Sequence, residues 1–212
     1  MPMKKMEAVM PEQSSVHFYL NWAKERIDEM DATLASLEAK TAQVQADSKA
    51  KAGQLIADLQ KRRDDFQATV KKYSEAGGAA WEGTRRELDT LWNDFETQLK
   101  TYIESVGKNI QQQQTTFRDV AAAQVKAWRD TADNLQAAAS KVAVARRADI
   151  DAAVKQMKAD ASEAAARMQK LKQAGTESWT ALGAALAESR KAFDRANQAG
   201  WDAFKRAAPP EA

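Results

Sequence analysis

His17 is the only imidazole in the chain, and there is no cysteine at all. Those two side chains carry most nucleophilic and transition-metal chemistry near neutral pH. One histidine excludes a His-His metal pair, a His-x-x-x-His helix face and the Glu-x-x-His ligands of a di-iron bundle. Ser-His and Cys-His dyads need an imidazole oriented by a third group. His17 stands among residues that offer it none and reads as a surface residue of a first helical turn. The glycines form neither G-x-G-x-x-G nor a P-loop, so no phosphate cradle is written. The expectation is a chain with no catalytic residue, no metal and no cofactor.

The charged residues point the same way. Asp58–Arg62, Lys61–Asp65, Arg85–Asp89 and Asp151–Lys155 are i,i+4 pairs of opposite sign. Each supports a solvated helix face by about 0.2–0.5 kcal/mol. Dibasic pairs at Arg62-Arg63, Lys71-Lys72, Arg85-Arg86 and Arg146-Arg147 mostly lie close to acids. With 32 basic and 30 acidic residues the formal charge is +2, which disfavours a nucleic-acid partner held by phosphate neutralisation.

Helices must carry whatever the chain does. The four prolines sit at positions 2, 11, 209 and 210, so none interrupts the long stretch between. Met1–Met10 carries Lys4 and Lys5 but lacks the roughly 7–15 apolar residues of a secretory signal. No run approaches the ~20 apolar residues that span a bilayer, so a cytoplasmic, non-transmembrane protein is expected.

A shift of 98 positions lays the chain on itself. Ala76-Gly77-x3-Trp81-x6-Leu88-x6-Phe95 recurs as Ala174-Gly175-x3-Trp179-x6-Leu186-x6-Phe193. Ile27 meets Val125, Met30 meets Trp128, Leu37 meets Leu135 and Leu59 meets Met157. The reading is a tail over 1–13, a first helical repeat over 14–112, a second over 113–207 and a tail over 208–212. Each repeat is a long helix followed by a shorter one: 14–75, a break at 76–78, then 79–112; and 113–174, a break at 175, then 176–207. The seam Ile27, Met30, Leu34, Leu37, Thr41, Val44 alternates spacings of three and four, as in a coiled coil. Gly77-Gly78 suits a helix C-terminus, and Thr176 suits a cap. The fold class is therefore all-α: an elongated antiparallel coiled coil or a helical-hairpin bundle. If 79–174 runs as one helix, weakened only at Gly107, the product is a rod of about 140 Å at 1.5 Å per residue. A break near 107–115 gives stacked hairpins instead.

Six tryptophans stand out in a chain of 23.4 kDa. Trp81, Trp92, Phe95 and Tyr102 share one face of the first short helix, Trp128 falls on the second seam, and Trp179, Phe193, Trp201 and Phe204 share the last face. They are the candidate anchors, either of the core or of a face that docks on something external. The arrangement of Gly77, Trp81, Leu88 and Phe95, then Gly175, Trp179, Leu186 and Phe193, resembles a loose class of small bacterial coiled-coil proteins described as apolipoprotein-like. Phasins, which coat storage granules with amphipathic helices, are a similar likeness. The resemblance carries over no catalytic or ligand residue.

Two functions are then expected in order. The first is a structural or interaction protein that self-associates through its heptad and aromatic faces, with a dimer as the economical state. The alternative is a coat protein whose aromatic faces lie on a neutral lipid or storage-granule surface. Between Ala79 and Glu104 six acids face only Arg85, Arg86 and Lys100, which argues against an anionic membrane.

Overall fold

The computed structural model describes residues 11–41, 44, 46–76, 81–107, 110–174 and 179–207. Side chains are described at all of these except 11–19, 47, 76, 81, 82, 85, 110, 171–174, 179, 180 and 182. Among the described residues the protein is all-helical: α1 (Pro11–Thr41), α2 (Ala46–Ala76), α3 (Trp81–Val106), α4 (Ile110–Ala139), α5 (Ala148–Ala174) and α6 (Trp179–Ala207), with a 3₁₀ turn at Val144–Arg146. None of these helices is long and apolar enough to cross a membrane.

The expected long helices, 14–75 and 113–174, each form as two. The heptad seam of the first does not wait for a distant helix. Met30, Leu34 and Leu37 of α1 pack on the same cluster as Ile56, Leu59 and Phe66 of α2. Arg63 Nη1 donates to Asp31 Oδ1 at 2.7 Å and Gln60 Nε2 to Glu38 Oε1 at 2.8 Å, which fixes the two helices antiparallel. No glycine or proline marks the turn. Thr41 Oγ1 bonds back to the Leu37 carbonyl at 3.0 Å, and the Val44 N–H reaches the Thr41 carbonyl at 3.2 Å. In the second half, Lys141 and Val142 N–H groups close tight turns on the Ala138 and Ala139 carbonyls at 3.2 and 2.9 Å. Asp149 and Asp151 then lie in the first turn of α5, where negative charge suits the helix dipole. Burying two apolar stripes against each other outweighs the small propensity advantage of continuing one helix.

The continuous 79–174 helix is likewise absent, because α3 stops at Val106. The Gly107 N–H still bonds the Ile103 carbonyl at 3.2 Å, and there the chain turns. Gln113 Nε2 reaches back to the Glu104 and Gly107 carbonyls at 3.3 and 3.2 Å, satisfying acceptors that the helix end leaves open. A Cβ on Gly107 would collide with Gln113 Cγ and the Ile103 carbonyl, so only glycine lets α4 return this closely. The rod is replaced by a bundle whose longest helices, of 31 residues, span about 46 Å. The Gly77-Gly78, Gly175 and Thr176 signals lie outside the described residues.

Two apolar clusters result. One gathers Met30, Leu37, Leu59, Phe66, Leu88, Phe95 and Tyr102 from α1–α3, joined by Val120. The other gathers Val125, Trp128, Leu135, Ile150, Met157 and Phe193 from α4–α6. Adding 98 to the bounds of α1 and α3 gives 109–139 and 179–204, against Ile110–Ala139 and Trp179–Ala207 observed. The halves meet mainly where α1 packs on α4, with further contacts of α1 on α6 and α3 on α4.

Two glycines within α6 separate close packing from open space. A Cβ on Gly200 would lie 2.5 Å from Leu135 Cδ2 and 3.3 Å from Ala153 Cβ, whereas at Gly183 it would meet nothing within 4 Å. Gly200→Val should therefore destabilise by about 3 kcal/mol through overpacking. Gly183→Ala should instead stabilise by about 1 kcal/mol through helix propensity. Denaturant midpoints moving the same way in both variants would contradict this packing.

Candidate functional site

Between the two apolar clusters lies a layer of charge. From α1 it receives Glu25, Arg26, Glu29 and Thr33, all at most 1% exposed. From α4 come Gln124 and Trp128, from α6 Arg190, Asp194 and Asn197, and from α3 Trp92 and Glu96. Glu29 is the hub. Its Oε1 accepts from Trp128 Nε1 at 2.6 Å and from Arg26, and its Oε2 accepts from Arg190 Nε at 2.9 Å. Arg26 continues to Asp194 in a two-oxygen ion pair and touches Glu25 Oε1 at 3.3 Å. Arg190 spreads its other nitrogens to Glu96 Oε1 at 2.8 Å and Gln124 Oε1 at 3.1 Å. Gln124 Nε2 in turn donates to Thr33 Oγ1 at 3.1 Å.

Aromatic rings insulate this layer. The Arg26 guanidinium lies 5.4 Å from the Trp22 ring centre and 5.1 Å from that of Trp92, and Arg190 lies 5.0 Å from Trp92 on its own side. Indole faces are negative, so a guanidinium between them loses less on leaving water than it would against aliphatic walls. The guanidinium is also favoured over its neutral form by Glu29, Glu25 and Asp194, which outweigh the opposing effect of burial.

Glu25 is the group that can change state. Burial pushes its carboxyl well above the usual range; Arg26 pulls it back, while the charges of Asp194 and Glu29 and a hydrogen bond with Asp194 push it further up. Asn197 Nδ2 donates to Glu25 Oε2 at 2.7 Å, and Asn197 Oδ1 is buried without a partner. With Glu25 neutral, three carboxylates (Glu29, Glu96 and Asp194) face two guanidinium groups, half the imbalance of four against two.

The sequence candidates distribute around this layer. Trp92, Phe95, Tyr102, Trp128 and Phe193 are buried, with Trp128 and Phe193 stacked at 5.3 Å. Trp201 and Phe204 are half-buried against the second cluster and meet edge to face at 5.6 Å. Trp81 and Trp179 open α3 and α6, and their side chains lie outside the described residues, as does that of His17. Of the seven candidates whose side chains are described, Trp92 and Trp128 touch the ionic layer. Sequence reasoning passed over Glu25, Arg26, Glu29, Gln124, Arg190, Asp194 and Asn197. The 98-residue shift held a signal for two of them: it sets Trp92 over Arg190 and Leu99 over Asn197, which marks polar groups at core positions.

Two measurements probe the layer. Glu29→Ala strands two buried guanidinium groups and an indole N–H, and should cost about 3–5 kcal/mol in denaturant unfolding. A cost below about 1 kcal/mol would show that the layer is wet and weakly bound. The second concerns pH. A carboxyl held above its ordinary value in the fold contributes fully below that value, near 4.5, and loses its contribution as pH rises through the folded value. Glu25→Gln should flatten that decline, because the amide cannot ionise. An unchanged stability–pH slope in the variant would rule out Glu25 as its source.

Comparison with known proteins finds no matching family model, no similar curated protein and no similar solved structure.

Proposed function

We propose that this protein is a non-enzymatic, tandemly duplicated helical bundle that acts by parting its two halves and laying the aromatic faces of its helices on an apolar surface, a neutral lipid or a storage granule. The observation that carries this reading is the ionic layer between the two apolar clusters. A buried ion network is about neutral or unfavourable in stability beside apolar packing of the same volume, because its charges give up hydration. Parting the halves along that layer returns Glu25, Arg26, Glu29 and Asp194 to water. Each half then has only its own cluster to hold its three helices. The most one-sided helices, α3 and α6, bring Trp92, Phe95, Phe193 and Trp201; swinging off those clusters, they would lay these faces on an apolar boundary while the charged strip of α1 stays in water.

Self-association through the same faces is the second reading. The closed bundle offers them nothing: among the described residues, Val144 is the sole large hydrophobic side chain that is exposed. A dimer of this kind therefore also requires parting, with α1 of one chain taking the place of its own α4 contact on a second chain. Exchange of equivalent halves costs few new contacts, which keeps this reading in play.

The absence of native cysteine allows a direct test. Lys40 of α1 and Asp119 of α4 form an ion pair at the seam and are partly exposed. Lys40→Cys with Asp119→Cys, bridged by a short cleavable bis-maleimide, should hold the halves together. The unbridged chain is expected to float with phosphatidylcholine-coated triolein droplets, the bridged chain to stay in solution, and cleavage of the linker to restore flotation. Equal flotation of bridged and unbridged chains would overturn the parting mechanism. No flotation, with dimers appearing in sedimentation and lost on bridging, would favour exchange between chains.

A further inference from the structure

Beside the ionic layer, α3, α4 and α6 leave a cleft of about 350 Å³. Its walls are Leu99 and Ile103 of α3, Phe117 and Val120 of α4, and Leu186 and Ala187 of α6. Gln124 and Arg190, both nearly fully buried, close its inner end, while exposed Lys100 and Glu104 stand at the mouth. The volume falls in the range of ligand pockets, about 300–1,000 Å³, and the apolar walls with a few polar groups at one end match their usual make-up.

The other half shows what such a space holds. Subtracting 98 takes Val120 to Trp22, Arg190 to Trp92 and Gln124 to Arg26. There, Trp22 and Trp92 lie against the Arg26 guanidinium, and Trp22 packs on Phe66 at 6.1 Å between ring centres. The second half, which supplies the α4 and α6 walls of the cleft, has valine and arginine in place of those two indoles. It also has Gly183 where the first half has Arg85, and the space over Gly183 is open. The α4 and α6 walls of the cleft thus lack the two indoles that their counterparts on α1 and α3 carry.

We propose that this cleft is a binding site for a small, uncharged, planar aromatic molecule of about indole size. The absence of net charge follows from the pairing on its walls. Arg190 is engaged by Glu29 and Glu96, and Lys100 lies 3.8 Å from Glu104, so each ion at the walls already has a partner within the protein. Gln124 spends its oxygen on Arg190 and its amide on Thr33, leaving the inner end suited to the π-face or weakly polar edge of a ring. The site belongs to the closed bundle and does not depend on the halves parting.

Calorimetric titration with indole tests this on the full chain. One molecule should bind per chain, and naphthalene-sized neutral rings should compete, whereas tryptamine and indole-3-acetate should bind at least tenfold more weakly. Val120→Trp, which restores the side chain of the other half, should weaken indole binding at least tenfold. Gly183→Leu should do the same, and a Cβ at that position meets no atom within 4 Å. Trp22→Val should open the counterpart space and raise the stoichiometry to two. The proposal is overturned if indole does not bind up to its solubility limit, or if both filled variants bind it as the native chain does. Tighter binding of either charged analogue would show that the ligand class is wrong.

Discussion

Glu29 is the constraint on which the rest of the bundle turns. A carboxylate with no exposure must be met by donors from every side, and it is met from three helices at once: Arg26 of its own α1, Trp128 of α4 and Arg190 of α6. Sliding α1 by one turn against either neighbour would leave an ion unpaired in a medium that charges for it heavily. The alanine-rich seams of α4 and α5 impose no such register, since small residues pack nearly as well after a shift. The ionic layer therefore fixes how the halves meet, while the two apolar clusters supply most of the burial. Specificity and stability are drawn from different parts of the same core.

How much of this was legible depended on whether the signal was local. Two helix starts, at Trp81 and Trp179, stood out because glycine and tryptophan recur together at a break. The buried aromatic faces followed from their 3.6-residue period. The turns after Thr41 and after Ala139 did not show, because neither contains glycine or proline and the heptad pattern runs across the first of them. Their cause is tertiary: one seam folds onto the next. The ionic layer was the least visible feature. Lys24-Glu25-Arg26-Ile27-Asp28-Glu29 reads as a solvated face, and here Lys24 and Asp28 do form an exposed pair at 2.7 Å. What sends Glu25, Arg26 and Glu29 inward is a set of partners on α6 that lie more than 160 residues away in sequence.

The two halves also differ where they correspond. Tyr102 is buried in the first, and its counterpart is Gly200, over which Leu135 and Ala153 close tightly. Trp22 and Trp92 correspond to Val120 and Arg190. The second half thus approaches more closely at one level and opens a cleft at another. An identical pair of halves could not have produced an ionic layer with a single hub, because it would carry a second glutamate where Ala127, the counterpart of Glu29, stands.

The Arg26–Asp194 pair joins residues separated by 168 positions. During synthesis, α1 through α3 emerge first and can bury their own cluster by short-range hairpin contacts, which form quickly. Until α6 has been made, Glu25, Arg26 and Glu29 lack their partners on it and can stay hydrated on the outside of those three helices. That exposed strip of mixed charge keeps the nascent half from aggregating through the very surface it will later bury. The feature that makes the finished core costly to dehydrate makes the unfinished one safe to leave in water.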